Sequence, residues 1–327
     1  MSVNHPYGDG RPVEGHGLSY SAGVRALLVV NPQATATTAA GRDVLAHALA
    51  SDVQLEIVET SYRGHAADAA ARAVADGVDL VVAHGGDGTV NEVVNGLLAK
   101  TQDAADAPAL GVVPGGSANV FARALGISAD SFEATHQLLN ALENDRSRRV
   151  GLGLADGHWF TFNAGLGWDA DVVGRVAKRR GKQTTAGLYL RAAVRSYFRP
   201  PLGRPALTIR VPGEDPIEAL TAFVSNTDPW SYLGERAVHL NPGCSFETGL
   251  GLFALNGLGL PTVFKHVRQA LTTKSNQRGR RLVRHDDLPM IRIDAAEPVN
   301  FQVDGDLVGQ RTRVEFFSVP NALTVIV

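Results

Sequence analysis

Hydrophobic and polar residues change over the first 150 residues in blocks that fit strands and helices in turn. Short continuous apolar runs, typical of buried parallel strands, are separated by stretches with apolar residues at helical spacing. The predicted strands are 26–30, 53–58, 79–83 and 110–113, and the predicted helices are 38–50, 64–76, 89–98, 118–125 and 131–143. This order predicts βαβ units and a parallel sheet, with the loops after its strands on one edge.

After about residue 150 the pattern shifts to short β-like runs bounded by Gly, Pro and Asn, which favours a mostly antiparallel arrangement. Two helical patterns interrupt it, near 169–197 and 261–274. The predicted strands are 158–162, 206–211, 220–226, 251–255, 290–294, 299–303, 313–317 and 322–327. The sequence therefore predicts an α/β unit followed by a β-rich unit.

Length and composition agree with two globular units. The chain has 327 residues, 44% hydrophobic and 20% charged. Residues 1–22 lack the apolar stretch of a signal peptide, and we expect a disordered lead-in. No apolar run approaches the ~18 residues of a membrane span. The single cysteine, Cys244, excludes an internal disulfide and is typical of a reducing cytosol.

Charge is unevenly distributed along the chain, although the net charge is only −2 and gives no indication of nucleic-acid binding. Residues 172–213 contain ten Lys or Arg and residues 265–284 contain seven, and neither window contains Asp or Glu. These windows are either solvated faces or a basic surface for anionic lipid head groups.

A glycine-rich turn at residues 85–89 (Gly-Gly-Asp-Gly-Thr) joins a predicted strand to a predicted helix. A helix N-terminus offers unpaired N–H groups to an anion, and glycines let a phosphate approach the backbone. The alternative is a plain turn with a capping box formed by Thr89 and Glu92.

A second turn of the same kind, residues 114–117 (Pro-Gly-Gly-Ser), follows the strand 110–113. Together with Asn31 and Pro32 after the first strand, the two turns would lie side by side on one sheet edge and form a nucleotide cleft. The sequence contains neither the P-loop signature nor the dinucleotide-binding signature, and protein-kinase signatures are also missing.

In their longer context these turns resemble those of bacterial diacylglycerol kinases and the related sphingosine and ceramide kinases. The matching residues are 85–96, 114–123, 162–170 and 303–306. The resemblance implies an N-terminal α/β sandwich similar to that of NAD kinases and phosphofructokinases, and a β-rich sandwich as second lobe. The implied boundaries are 1–22 for the disordered N-terminus, 23–150 with about 318–327 for the nucleotide-binding unit, and 151–317 for the lipid-substrate unit.

The resemblance also implies that ATP and Mg²⁺ bind in the cleft. The residues implied for ATP are Asn31, Pro32, Thr35, Thr60, Gly85, Gly86, Asp87, Gly88, Thr89, Asn91, Glu92, Gly115, Gly116 and Ser117. Asp87 is the candidate ligand of a catalytic Mg²⁺, with a general base or a helix N-cap as alternatives. Some relatives hold a structural Mg²⁺ in an Asp-Asp-Gly turn, but the corresponding residues 246–249 lack the second Asp.

The accepting hydroxyl needs a carboxylate that takes its proton. Asp306 is the first candidate and Asp304 the second, and an ordinary Asp-Gly-Asp hairpin turn is the alternative. The family usually has Glu where this chain has Asp306, which is one methylene shorter. Arg123 would bind phosphate or an acidic neighbour, and His84 reads as a packed histidine.

These features predict a kinase that transfers the γ-phosphate of ATP to a lipid hydroxyl, with diacylglycerol as first acceptor. We expect it in the cytoplasm and peripherally at an anionic inner membrane face, with no nucleic-acid partner and with a homodimer left open. The alternatives are a sphingoid or ceramide kinase, an NAD kinase, and a non-catalytic nucleotide- or lipid-binding regulator.

From the second lobe, Asn163 and Asp169 would line the cleft. Aromatic residues would line an apolar lipid pocket or belong to the core: Trp159, Phe160, Trp168, Tyr189, Tyr197, Phe198, Trp230 and Tyr232.

Overall fold

The computed structural model describes residues 23–51, 53–99, 106–167, 170–171, 206–272 and 277–327. Several predictions lie outside these residues: the lead-in 1–22, most of the helical pattern near 169–197, most of the basic window 172–213, and the side chains of Trp168, Asp169, Tyr189, Tyr197 and Phe198. Within the described residues, no helix combines the length and the hydrophobicity needed to cross a bilayer.

The first unit alternates strands and helices as predicted, and every observed boundary lies within two residues of the predicted one. Its elements are β1 (Arg25–Val30), α1 (Ala39–Ala50), β2 (Gln54–Glu59), α2 (His65–Ala75), β3 (Leu80–Gly85), α3 (Asp87–Leu97), β4 (Ala109–Pro114), α4 (Val120–Ala124) and α5 (Ser131–Glu143). Strands β3 and β4 are buried along their whole length, as continuous apolar runs between helical layers require.

The strands of the first unit form a parallel sheet in the order β2-β1-β3-β4. The register pairs Val30 of β1 with His84 of β3, and Gly85 of β3 with Pro114 of β4. Because the three strands end level with one another, the turns that follow them meet at the same edge. This confirms the predicted side-by-side placement of the two glycine turns.

Helix α3 starts differently from the predicted capping box. Its N-cap is Gly86, which has no side chain to offer, and the helix begins two residues before Thr89. The Glu92 carboxylate instead accepts hydrogen bonds from the backbone N–H groups of Gly64 (2.9 Å) and Ala66 (3.3 Å). The predicted Thr89–Glu92 box is therefore wrong, because Glu92 caps the start of the neighbouring helix α2.

The second unit is mostly antiparallel, as predicted. Its described elements are β5 (Ser147–Ala155), β6 (His158–Phe160), β7 (Asn163–Gly167), β8 (Leu207–Arg210), β9 (Ile217–Ala219), β10 (Thr221–Ser225), β11 (Ser231–Leu233), β12 (Arg236–Val238), β13 (Leu250–Leu255), α6 (Leu260–Ala270), β14 (Leu282–Leu288), β15 (Met290–Val303) and β16 (Asp306–Ile326).

Two strands are longer than the sequence pattern predicts. Strand β15 joins the predicted runs 290–294 and 299–303, and β16 joins 313–317 and 322–327. A proline interrupts each pair of runs, and the pairing register shifts beside it, between Asp294 and Val299 and between Val319 and Leu323. A bulge carries the strand past a residue that cannot donate a hydrogen bond, whereas the pattern predicts a break.

Strand β16 connects the two units. It pairs with β15 and β5 in antiparallel fashion, and Val325 near its end pairs in parallel with Leu110 of β4. Fourteen of the described strands thus form one continuous sheet. Near the end of β16, Ala322, Leu323, Val325 and Ile326 are buried in the core of the first unit, while Val314 and Phe316 belong to the core of the second.

Helices α2 and α3 cross at Gly96, which gives a prediction on stability. A Cβ atom at Gly96 would overlap the carbonyl oxygen of Ala67 and lie 2.8 Å from the Cβ atom of Ala70. We expect Gly96→Ala to lower the free energy of unfolding by about 2 kcal/mol, because the packed helices would have to move apart. Urea denaturation measures this change.

The matched control is Gly41→Ala in α1, where the new methyl group would meet only the Thr38 hydroxyl oxygen, at 3.1 Å. Its effect should stay within about 1 kcal/mol, the scale of helix propensity. Equal effects of the two substitutions would contradict the argument from close packing.

Candidate functional site

The two glycine turns touch each other through their backbones. A Cβ atom at Gly116 would lie 2.6 Å from the Cα atom of Gly86, and one at Gly115 would lie 3.1 Å from the Cα atom of Gly85. The backbone N–H of Gly115 also donates to the carbonyl oxygen of Gly85, at 2.7 Å. None of these four glycines has a positive φ. Close approach of the two backbones thus requires glycine at 116, while a Cβ atom would lie 2.6 Å from the Thr89 hydroxyl oxygen at Gly85 and 2.4 Å from the Thr37 hydroxyl oxygen at Gly115.

The backbone N–H groups of the second turn are mostly engaged within the protein. Besides the bond from Gly115, the N–H of Gly116 donates to the Asn119 side-chain oxygen and the Asn119 amide donates to the Gly116 carbonyl, both at 2.9 Å. The prediction that Gly115 and Gly116 offer N–H groups to a phosphate is therefore wrong in this conformation. Ser117, which is exposed, remains the candidate in this turn.

Anion-binding groups remain at the start of α3. The N–H groups of Thr89 and Val90 donate to the Gly86 carbonyl. Those of Asp87 and Gly88 occupy the first turn of an 11-residue helix, where helical geometry supplies no acceptor. These two N–H groups and the positive end of the helix dipole make the first glycine turn the stronger anion site.

The segment after β1 forms the third side of this edge. The Asn31 amide donates to the Thr89 hydroxyl oxygen at 3.0 Å, and the Asn31 side-chain oxygen accepts from the N–H of Gln33. Asn31 therefore ties the first loop to α3, and Thr89 is buried beneath it. Pro32 and Thr35 are exposed along the loop, and Thr60 comes directly after β2, the strand that neighbours β1.

Asn91 and Asn95, one turn apart on α3, bind the second unit. The Asn91 amide donates to the Trp159 carbonyl (2.9 Å) and to the Asp304 carboxylate (2.8 Å). The Asn95 side-chain oxygen accepts from the N–H of Trp159. Among the residues predicted to bind ATP, Asn91 and Glu92 thus bind protein groups and hold α3 in place.

Asp87 faces the start of α4. Its carboxylate accepts a hydrogen bond from the N–H of Phe121 at 3.3 Å. Burial raises the pKa of Asp87 to about 7, the Phe121 N–H opposes this, and the negative charge of Asp304 adds to it. A carboxylate with a raised pKa in this glycine turn would be stabilised by a cation. This supports the candidate Mg²⁺ ligand over the N-cap alternative, since α3 is capped by Gly86.

Asp304 is a buried acceptor for five hydrogen bonds. Its donors are the N–H and hydroxyl groups of Thr161, the N–H groups of Phe162 and Asn163, and the Asn91 amide, at 2.7–3.0 Å. Burial raises the pKa of Asp304, and the three backbone donors oppose that rise. With its oxygens surrounded, Asp304 has no position for a substrate proton. The prediction of Asp304 as second candidate base is therefore replaced by a structural role.

Asp304 and Gly305 form a two-residue turn between β15 and β16. Their φ angles are +45° and +77°, and Val303 pairs with Asp306 across the turn. Positive φ at both central residues is the type I′ geometry that Asp-Gly favours. The hairpin alternative is thus correct about the local structure, and it leaves open what Asp306 does.

Asp306 reaches the first glycine turn. One carboxylate oxygen lies 3.4 Å from the position that a Cβ atom would take at Gly88, and the other lies 3.6 Å from a guanidinium nitrogen of Arg63. The side chain is 28% exposed. A carboxylate, an arginine and the start of α3 therefore meet at one point, although they come from distant parts of the chain. Shortening Glu to Asp does not keep this side chain away from the turn.

The remaining predicted residues have defined places in the protein. Arg123 pairs with Glu235 at 2.6 Å and stacks on Tyr232, which matches the acidic-neighbour alternative. Asn163 is buried and accepts a hydrogen bond from Gln302. His84 is buried, its Nδ1 lies 3.1 Å from the Val113 carbonyl oxygen, and burial lowers its pKa. These contacts indicate that Arg123, Asn163 and His84 hold parts of the fold together.

Of the four described aromatic candidates, Phe160 is fully buried in the second core. The Trp159 backbone carbonyl accepts a hydrogen bond from Asn91 of α3. Trp230 packs edge-on against Phe223, and the Tyr232 ring stacks on the Arg123 guanidinium. None of these contacts forms an apolar pocket among the described residues. The lipid pocket that these aromatic residues would line stays a prediction.

The turn at residues 246–249 is held by other contacts. Glu247 pairs with Arg148, the Thr248 hydroxyl accepts from the N–H of Ser245, and the N–H of Gly249 donates to Asp287 at 2.6 Å. In the described part of the chain, no cluster of three His, Cys, Asp or Glu side chains suits a metal ion. A catalytic Mg²⁺ would thus need phosphate oxygens besides Asp87.

Sequence reasoning missed two residues of this site. Arg63 follows β2 without a recognisable motif, and only the fold brings it to Asp306. Asn119 adopts a left-handed conformation, with φ of +48°, and holds Gly116 through two hydrogen bonds. An Asn three residues after a Gly-Gly pair and just before a helix is a signal that could have indicated this role.

Comparison with known proteins bears on the first unit. Residues 25–153 match the family model of the diacylglycerol kinase catalytic domain. The diacylglycerol kinase of Bacillus subtilis is 41% identical over 109 residues, which is 33% of each chain. A Xanthomonas campestris protein named as a probable YegS-like lipid kinase is 46% identical over 82 residues, or 25% of this chain and 26% of that protein. The matched stretches span about a third or less of these relatives.

A crystal structure of a diacylglycerol kinase from Bacillus anthracis superposes with a TM-score of 0.72 at 24% identity, covering 92% of this chain and 96% of that one. This similarity concerns the fold, and it extends over both units. The predicted resemblance to the diacylglycerol kinase family and the predicted α/β architecture are confirmed.

The structural role of Asp304 gives a prediction. Asp304→Asn keeps the turn, because Asn tolerates positive φ, but one carbonyl oxygen cannot accept five hydrogen bonds. We expect the free energy of unfolding to fall by about 3 kcal/mol, since buried N–H groups lose their acceptor. The control Asp306→Asn, two residues away and partly exposed, should cost less than about 1 kcal/mol. Similar losses in thermal or urea unfolding would contradict this division of roles.

The raised pKa of Asp87 predicts a pH-dependent cost in stability. Between its ordinary pKa and the folded value of about 7, the unfolded chain has lost this proton while the folded protein retains it. The free energy of unfolding therefore falls as pH rises through this window. Asp87→Asn removes the loss, so its stability relative to wild type should increase from about pH 4 to about pH 7, by up to roughly 4 kcal/mol. A pH-independent difference in urea unfolding would refute the prediction.

Proposed function

We propose that this protein is an ATP-dependent lipid kinase that transfers the γ-phosphate to a lipid hydroxyl, with diacylglycerol as acceptor and phosphatidic acid as product. The proposal proceeds from the diacylglycerol kinase resemblance of residues 25–153. The observation that carries it is the position of Asp306, whose carboxylate lies against Gly88 in the phosphate-binding turn. A base beside the site of the phosphates is what phosphoryl transfer to a hydroxyl requires.

The start of α3 fits the phosphates of ATP. Gly86 and Gly88 present no side chains, and the first-turn N–H groups have no helical acceptor. Ser117 on the second turn and the exposed loop residues Pro32 and Thr35 border the same edge. In this proposal Gly86 to Gly88 and Ser117 contact the nucleotide, while Asn31, Asn119 and Glu92 hold the surrounding turns in shape.

Asp87 would hold Mg²⁺. Its carboxylate sits in the phosphate turn, and its pKa is raised to about 7, so it gains from a nearby positive charge. When bound, Mg²⁺ supplies neutralisation of the developing charge on the phosphate oxygens. Asp87 also links the first glycine turn to the start of α4, through the Phe121 N–H.

Asp306 would accept the proton of the lipid hydroxyl. The turn that carries it is fixed by the five hydrogen bonds to Asp304, so the Asp306 carboxylate is positioned before any substrate binds. Arg63, 3.6 Å away, balances its charge and orients it. Pre-positioning of the base reduces the motion needed during reaction.

The sphingoid and ceramide acceptors, NAD, and a regulator without turnover remain the competing outcomes. Each acceptor differs in the group that presents the hydroxyl, and none of the contacts described above selects among them. Labelled ATP offered with diacylglycerol, ceramide, sphingosine and NAD in parallel separates these outcomes. Transfer to NAD alone, or to no acceptor, would refute the proposal.

Substitution of Asp306 tests the mechanism. Asp306→Asn cannot accept a proton, so we expect turnover with diacylglycerol to fall by about 10²–10⁴. Asp306→Glu, which restores a carboxylate, should keep a larger share of activity. Initial rates of lipid phosphorylation at saturating ATP measure both.

The matched control is Asp156→Asn, a turn carboxylate that pairs with Arg311 away from the glycine turns. It should leave turnover within about a factor of two. Near-normal turnover of a folded Asp306→Asn protein would exclude Asp306 as the base.

A further inference from the structure

Helix α6 exposes three large apolar side chains on one stripe. Leu260, Phe264 and Val267 are 59%, 73% and 47% exposed, and their spacing of i, i+4 and i+7 places them on one helical face. Only eight large hydrophobic side chains are exposed in the described residues, and no other described helix carries more than one of them. Three together mark a surface that is unusual for this protein.

The exposed stripe is additional to the face that anchors the helix. His266 and Ala270 are buried, and Val263 packs with Leu282 against a separate small hydrophobic cluster that contains Phe253 and Ala270. The Ala270 carbonyl accepts a hydrogen bond from the N–H of His239 at 2.7 Å. The helix is therefore already docked on the protein, and the stripe of Leu260, Phe264 and Val267 faces outward.

Basic side chains surround this stripe. Lys265 and Arg268 are exposed on α6 itself. Arg278, Arg280 and Arg281 are exposed on the segment beside it, where a Cβ atom at Gly279 would lie 3.7 Å from the Lys265 ammonium nitrogen. Residues 260–284 contain no Asp or Glu. The surface thus combines protruding apolar side chains with positive charges, and this segment of the chain contributes no negative ones.

We propose that this α6 surface, formed by Leu260, Phe264, Val267, Lys265, Arg268, Arg278, Arg280 and Arg281, docks the protein on a bilayer of anionic phospholipid. The apolar stripe enters the boundary between head groups and acyl chains, and the bases meet the phosphates. A second copy of the chain is a poorer occupant, because two such faces would bring like charges together.

The surface is connected to the candidate active site by packed elements. The hairpin β11–β12 contacts α4 through Arg123, which pairs with Glu235 and stacks on Tyr232 at 3.9 Å. Val238, on the same hairpin, packs in the cluster that holds Val263 of α6. The purpose of this docking rests on the proposed lipid kinase function, since such an enzyme must reach its acceptor in a bilayer, but the docking itself is measurable without turnover.

Vesicle binding by the full chain tests the apolar stripe. Co-sedimentation is measured with vesicles of phosphatidylcholine alone and with about one third phosphatidylglycerol. We expect the wild type to bind the anionic vesicles at least about tenfold more tightly, and Phe264→Ser to weaken this binding about tenfold. The matched control is Phe132→Ser on α5, which removes a phenyl ring that is 64% exposed and lies between Asp130 and Glu133 in the sequence, and should bind like wild type.

A second variant pair tests the charges. Lys265→Gln combined with Arg268→Gln should weaken binding to anionic vesicles about tenfold or more and leave binding to phosphatidylcholine unchanged. Arg72→Gln, an exposed arginine on α2, is the control. Raising the salt concentration should weaken wild-type binding and leave the double variant less affected.

Four results would overturn the proposal: equal binding of the wild type to both kinds of vesicle, equal loss in Phe264→Ser and Phe132→Ser, charge variants that match their control, or a change only in self-association by sedimentation velocity. Thermal unfolding checks that each variant is folded. The vesicle assay contains no ATP and measures binding without phosphoryl transfer, so Asp306→Asn should bind vesicles like wild type. Wild-type protein that binds anionic vesicles but phosphorylates no lipid would count against the proposed function and leave the docking surface standing.

Discussion

The contact between Gly86 and Gly116 is the constraint on which the candidate site depends. Two turns from adjacent strands approach until a Cβ atom at Gly116 would overlap the Gly86 backbone and one at Gly86 would lie 3.2 Å from the Gly116 Cα atom. Gly115 donates to Gly85, and Asn119 holds Gly116. The close contact uses the N–H groups of the second turn and leaves those at the start of α3 to a ligand. The glycines of the two turns are thus needed for different reasons, since 115 and 116 allow packing while 86 and 88 also leave room at the helix start.

Much of the first unit could be predicted from sequence because its signals are local. Apolar runs, helical spacing and glycine turns set the elements, and parallel strands then place the turns together. Sequence reasoning failed where a residue acts far from its neighbours in the chain. Glu92 caps another helix, Arg63 meets Asp306 from 243 positions away, and β16 runs through a proline to serve both cores. No local pattern encodes such contacts.

In the second unit, the sequence also could not predict which apolar side chains are exposed. Exposure cannot be read from hydrophobic spacing, because α6 has one apolar face for the core and another for the surface. The sequence predicted the basic window 265–284 and left its role open between a solvated face and a lipid-facing surface. The structure adds the exposed Phe264 directly before that window, and this combination favours the second alternative.

The turn from Asp304 to Asp306 shows how two carboxylates two residues apart take different roles. Asp304 lies among five donors that fix it, while Asp306 points to Gly88 with part of its surface open. The first carboxylate holds the hairpin against α3 through Asn91, so the second arrives at the first glycine turn despite its short side chain. Reach is therefore set by the position of the turn as well as by side-chain length. An Asp can stand where the family usually has Glu, provided that Asp304 keeps the hairpin in place.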